Sequence, residues 1–139
     1  MECKIHKLVA DVLLFAKGRV LLVHYKDVRK YDGQGGWFLP EDYLAFAEHP
    51  RYAAMRILRE QFCLYMGDMA LSYIESFGGK DGSAWQLIFH HKVVLDYTPT
   101  ITPSTNIKNA KWFQLDNLPQ RLSIAHGGRA IDVIREILK

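Results

Sequence analysis

The stretch from Gly36 to Leu64, GWFLPEDYLAFAEHPRYAAMRILREQFCL, constrains the rest of the chain most. It carries a proline, Pro50, followed by a run with no further helix breaker. Proline suits the first turn of a helix, where its missing N–H has no partner to lose and its φ is already helical. From Arg51 to Phe62 the residues are good helix formers, and Ala53, Ala54, Ile57, Leu58 and Phe62 recur at helical spacing. The spacing predicts an amphipathic helix beginning near Pro50 and running to Phe62. Turn-prone residues, Gly35, Gly36 and then Leu39-Pro40, lead into it through a short loop. Glu48, Arg56 and Glu60 stand around the apolar set as either a site or a solvated face.

The same stretch resembles the Nudix box of the MutT-type pyrophosphohydrolases, G-x5-E-x7-R-E-U-x-E-E-x-G-U with U a bulky aliphatic. Placing the box arginine on Arg56 puts the first glutamate on Glu48 and the aliphatic on Leu58. The first of the paired glutamates then falls on Glu60 and the last aliphatic on Leu64. Trp37-Phe38-Leu39-Pro40 resembles the W-x-L-P that precedes the box, and Ala53-Ala54 match the small residues of its helix. The departures fall on the chemistry. Asp42 replaces the box glycine, and Glu41 stands before it where a second glycine is usual. Ile57 replaces the glutamate after the arginine, Gln61 the second paired glutamate, and Cys63 the closing glycine.

Positions 57, 60 and 61 are related as i, i+3 and i+4 and share one helix face. Three carboxylates there repel one another unless divalent cations neutralise them. Mg²⁺ takes hard oxygen ligands in near-octahedral array, commonly one or two carboxylates plus substrate phosphates. In the family that arrangement polarises a pyrophosphate and activates water for attack. The resemblance therefore implies Mg²⁺ or Mn²⁺ as cofactor and Glu60, Arg56 and Glu48 as the catalytic set. In this sequence Glu60 is the one acid left among those three helix positions. Gln61 still offers a carbonyl oxygen; Ile57 ligates nothing. Glu41 and Asp42 are candidates to supply ligands from the loop side, so the metal set to look for is Glu60, Gln61, Glu41 and Asp42. The alternative is that Glu41 and Asp42 are exposed turn residues.

A chain of 139 residues, 49% hydrophobic and 24% charged, is a typical single globular domain with a sizeable core. Its net charge of +3 is too mild for a nucleic-acid footprint and tolerates an anionic small ligand. Two cysteines, Cys3 and Cys63, make no disulfide framework and no CxxC pattern, which implies a reduced, cytoplasmic protein. The longest apolar runs have strand length, so neither a signal peptide nor a membrane span is expected.

Lys7 to Phe15 and Arg19 to Tyr25 are β-rich runs joined around Ala16-Lys17-Gly18, a hairpin signal that also resembles the opening strands of Nudix proteins. The glycine-rich segment from Lys26 to Gly36 is a polar loop whose basic and aromatic members can grip phosphates or stack on a base, or be merely solvated. Arg29 and Lys30 from this loop, with Trp37, are the candidate substrate-binding residues. The loop lacks the Walker spacing of a P-loop. Ala70 to Phe77 and Trp85 to Leu95 read as strands around a turn at residues 78–83. The second contains His90-His91, which as strand neighbours point to opposite faces and so do not ligate one ion together. A general-base role for one of them fits the imidazole pKa.

The loop from Tyr97 to Asn109 holds no carboxylate, although many Nudix enzymes place an extra acid there. The run Trp112-Phe113-Gln114-Leu115-Asp116-Asn117-Leu118-Pro119 resembles the family's late strand and turn, with Trp112 expected in the core. Gly128 to Leu138 reads as an amphipathic closing helix, with His126 at its entry. The likeness spans nearly the whole chain and implies the Nudix α/β/α sandwich, a mixed sheet between the box helix and the closing helix. It implies either hydrolysis of a pyrophosphate linkage in a nucleoside diphosphate derivative, or an inactive relative that binds a nucleotide-like ligand or a protein. Homodimerisation is implied by the likeness alone.

Overall fold

The computed structural model describes residues 5–31, 33–67, 69–78 and 84–139. In chain order these form β1 (Ile5–Ala16), β2 (Arg19–Tyr25), β3 (Glu41–Tyr43), α1 (Pro50–Phe62), β4 (Ala70–Gly78), β5 (Ala84–Leu95), β6 (Ile107–Gln114) and α2 (Ala125–Ile137). The strands make one mixed sheet in the order β4-β5-β1-β2-β6. β1 and β5 run parallel in continuous register, and every other pairing is antiparallel. The β1–β2 hairpin turns at Lys17 and Gly18, both with positive φ, as the glycine signal implied. The turn expected at residues 78–83 falls outside the described residues from 79 onward.

Alternation along the strands builds two cores, one on each sheet face. Ala10, Val12 and Leu14 of β1, with Leu21 and Val23 of β2, pack beneath α1. Leu13, Val20 and Leu22 point the other way and pack beneath α2. α1 buries Ala53, Ala54, Ile57, Leu58 and Phe62, the apolar set that its spacing predicts. The α/β/α sandwich is therefore the architecture observed.

The ends of α1 follow from local chemistry. Pro50 occupies the first turn, and the His49 imidazole accepts a hydrogen bond from the Arg51 N–H at 3.0 Å. At the other end Cys63 adopts the left-handed conformation, its N–H bonded to the Arg59 carbonyl and that of Leu64 to the Leu58 carbonyl. That is the task of the glycine it replaces. α2 contains a left-handed stretch at His126, Gly127 and Gly128, so its regular helical part begins at Arg129 and His126 is an entry residue.

Two expectations need correction. Residues 41–43 form a strand rather than loop, because they find backbone partners in β1, with Val9 opposite Tyr43 and Asp11 opposite Glu41. Trp112 is half-buried, packed against the margin of the core under α1 rather than within it.

Gly36 ties the segment before β3 to the entry of α2. Its φ is +101°, and a Cβ there stands 2.7 Å from the Ser123 carbonyl oxygen, a backbone atom. Gly36→Ala should lower stability by about 1–3 kcal/mol. Urea denaturation reads this directly, and an unchanged midpoint would refute the close approach.

Candidate functional site

Arg56, in the middle of α1, organises one half of the site. Its guanidinium donates from Nε to Glu48 at 2.9 Å, from Nη1 to Asp42 at 2.9 Å, and from Nη2 to the Tyr43 carbonyl at 2.8 Å and to Glu48 at 3.0 Å. The paired bonds to Glu48 are the fork geometry that arginine makes with a carboxylate. Glu48 also accepts from the Ala45 N–H, so the loop before the helix is fastened to it at two points. The Arg56 guanidinium holds the Glu48 carboxyl below its ordinary pKa. Burial raises that of Asp42, but hydrogen bonds from Lys30 and Arg56 outweigh it and the net shift is downward. Asp42 is thus neutralised by two protein cations, Lys30 on one oxygen and Arg56 on the other.

Gln61 is engaged as completely. Its carbonyl oxygen accepts from the Tyr25 hydroxyl at 2.8 Å, and its amide donates to the Glu41 carbonyl at 2.9 Å. The Glu41 N–H in turn donates to the Tyr25 oxygen at 2.9 Å. Burial holds the Tyr25 hydroxyl well above its ordinary pKa, so it remains a donor at neutral pH. Ile57 lies in the core under α1. Glu60, by contrast, is 53% exposed, and its nearest cation is Arg56 at 3.7 Å.

The other half of the site is a cleft on the opposite sheet face, under α2. Its apolar walls include Trp37, Phe38, Leu39, Ile88, Ala130 and Val133, and its polar lining includes Asp11, Lys30, Glu41, Gln86, His126 and Arg129. Because β3 is a strand, Glu41 and Asp42 leave it on opposite faces. Glu41 stands opposite Asp11, toward the cleft. Asp42 stands opposite Ala10 and turns to Arg56, its carboxylate also bordering the cleft beside Lys30.

The structure brings together Arg56, Glu48, Asp42 and Lys30 and leaves Glu60 at the edge of that cluster. It separates Glu41 from Asp42 by facing. Trp37 and Lys30 line the cleft, whereas Arg29 folds back onto Asp27, with its Nη2 2.8 Å from the carboxylate.

The donor set does not suit a divalent cation. Glu60, the one acid of α1, lies 3.7 Å from Arg56, the amide of Gln61 is engaged at both ends, Asp42 faces two cations, and Glu41 stands on the other face of β3. Among the described residues no group of three or more His, Cys, Asp or Glu is placed to hold a metal ion.

The residue that the sequence reading missed is Asp11. It is buried in the middle of β1 and both its oxygens lie 2.8 Å from Nδ1 of His90. The Nε2 of His90 lies 3.0 Å from Glu75, which meets Arg129 of α2 at 3.2 Å. Burial alone lowers the pKa of His90, but Asp11 and Glu75 outweigh it and push it up to about 9, so the ring is an imidazolium donating to a carboxylate on each side. Its neighbour His91 points to the α1 side, as alternation requires, and burial lowers its pKa. A lone acid in the apolar run Lys7 to Phe15 was the available signal for Asp11. Its partner lies 79 positions away.

The NUDIX domain family matches residues 5–132. The chain belongs to that family. The fold agrees with those of Nudix proteins of known structure. A MutT NUDIX hydrolase from Burkholderia pseudomallei superposes with a TM-score of 0.75 at 18% identity, covering 92% of this chain and 96% of the other. The NUDIX domain of Shewanella oneidensis NrtR, solved with ADP-ribose, gives 0.74 at 18% identity, covering 100% and 91%. An Ap4A hydrolase from C. elegans gives 0.66 at 15% identity, covering 94% and 93%. No curated protein sequence matches the chain significantly. Among the described residues, no helix is long and apolar enough to cross a membrane.

Proposed function

We propose that this protein binds a nucleotide-like ligand of the nucleoside diphosphate class in the cleft under α2, with pyrophosphate hydrolysis weakened or lost. The observation that carries this reading is the state of the former metal positions. Ile57 is core, Gln61 is engaged by Tyr25 and the Glu41 carbonyl, and the carboxylate added at Asp42 is taken by Lys30 and Arg56. In support, aromatic Trp37 and Phe38 line the cleft together with Lys30 and Arg129, which also pair with Asp42 and Glu75. A Nudix domain solved with ADP-ribose shares the fold.

Calorimetric titration with ADP-ribose and a panel of nucleoside diphosphates, in EDTA and in Mg²⁺ or Mn²⁺, tests it alongside assays of phosphate release. Binding near the micromolar range, about 8 kcal/mol, should persist in EDTA within about twofold, with no turnover. Divalent-dependent phosphate release that Glu60→Gln abolishes would overturn the proposal. It would establish instead a hydrolase with a rebuilt metal site. The half-exposed Glu60 at the edge of the Arg56–Glu48 pair favours this second reading.

A further inference from the structure

A carboxylate in the middle of an apolar strand is costly to bury unless it is paired, and its retention calls for a reason. Asp11 is 7% exposed and lines the cleft. In sheet register it stands in a row with Glu41 on one side and His90, then Tyr73, on the other. His90 is wholly buried, and its Nδ1 is equidistant from the two Asp11 oxygens, so one N–H approaches the carboxylate head-on. The ring is itself fixed from behind by Glu75, which Arg129 holds. An ionised carboxylate has about four acceptor positions and no donor. With the frontal approach taken by His90, a lateral acceptor position is what Asp11 presents to the cleft. Around Asp11 the cleft has apolar walls, among them Phe38, Leu39 and Ile88, while Glu41 and Gln86 add polar groups to the same lining.

We infer that Asp11 is a specificity-determining residue of the cleft, accepting one N–H from an exocyclic amino group on the ligand's heterocycle, and that His90 positions it. The inference rests on the nucleotide-binding reading above. An amino group meets the carboxylate as a donor. At the exocyclic position the corresponding keto group puts a second acceptor against a negative charge, and the ring N–H that accompanies it lies one atom away. The cleft therefore selects amino-bearing over keto-bearing bases.

The test compares ADP with IDP, and CDP with UDP, by calorimetry in EDTA, each pair exchanging amino for keto at the exocyclic position and gaining a hydrogen on the adjacent ring nitrogen in the keto member. The amino member should bind roughly 10- to 100-fold more tightly, the range for a hydrogen bond to a charged group. Asp11→Asn presents an amide that also donates, so the preference should collapse or reverse toward IDP, a change that mere loosening of the fold does not produce. The wild-type comparison decides the matter even if the variant fails to fold. Equal affinity within each pair overturns this inference and leaves the nucleotide-binding reading standing. A larger loss with 2′-deoxy-ADP than with IDP overturns it in favour of a sugar contact. No binding by any of these nucleotides overturns both.

Discussion

Raising the pH from 6 to 9.5 should cost this protein on the order of 3 kcal/mol of stability, and His90→Gln should abolish that dependence. His90 is buried against Asp11 and Glu75 at 2.8 and 3.0 Å, with the Tyr73 ring beside it and Arg129 beyond Glu75. Its folded pKa of about 9 stands above the ordinary value of 6.5. A group that binds its proton more tightly when folded contributes fully below the unfolded pKa and ceases to contribute as pH rises through the folded one. The loss therefore falls between about pH 6.5 and 9, on the alkaline side of neutrality. His24 and His91 have lowered pKa values, so their contributions fall below this window. Of a total stability of about 5–15 kcal/mol this is a large share. Urea midpoints at pH 6, 7.5 and 9.5 measure it. A flat profile in the wild-type protein would mean that the ring is neutral and the carboxylates are satisfied otherwise. His90→Gln should also be less stable at pH 6 by about 3–5 kcal/mol, the usual cost of removing one member of a buried ionic network.

Arg56→Met should lower stability by a comparable amount, about 3–5 kcal/mol, which for a domain of this size is on the order of 10 °C in Tm. Methionine keeps the length and apolar stem, so the effect reports the guanidinium. Its loss removes the guanidinium from Glu48 and from the Tyr43 carbonyl, leaving Glu48 with the Ala45 N–H and Asp42 with Lys30 and the Tyr43 N–H. Arg56→Lys should recover only part, because an ammonium cannot make the fork to Glu48 while reaching Asp42. A Tm shift below one degree for Arg56→Met would show that the three carboxylate and carbonyl partners are satisfied by water. Since Glu48 and Asp42 are held ionised by this contact, acidification should weaken the same joint as pH falls through their lowered pKa values.

The scaffold was legible in the sequence where local rules and tertiary packing agree. Pro50, the apolar spacing of α1 and the glycine at the first hairpin each act over a few residues, and each stands as read. β3 was hidden because Glu41-Asp42-Tyr43 carries no strand pattern of its own; pairing with β1 makes it a strand. The site was legible on α1, where family spacing places Arg56 eight residues beyond Glu48 and the structure joins them. The cleft was not. Its defining carboxylate lies on β1, the histidine that faces it on β5, and the arginine that closes the row on α2, elements that only the parallel β1–β5 register and the helix packing bring together. Arg29 pairs for a local reason that the sequence did carry: an acid two residues away, Asp27, takes its guanidinium.

The two acidic residues at the start of β3 carry a consequence for how such a protein diverges. In a flexible glycine loop, adjacent positions share one environment and change together. Once the segment is paired into a sheet, chain neighbours are assigned to separate compartments, Glu41 to the cleft and Asp42 to the fastening of the box helix. Variation at 41 can then retune what the cleft accepts while 42 continues to hold the helix. The two positions, one peptide bond apart, are thereby adjustable independently.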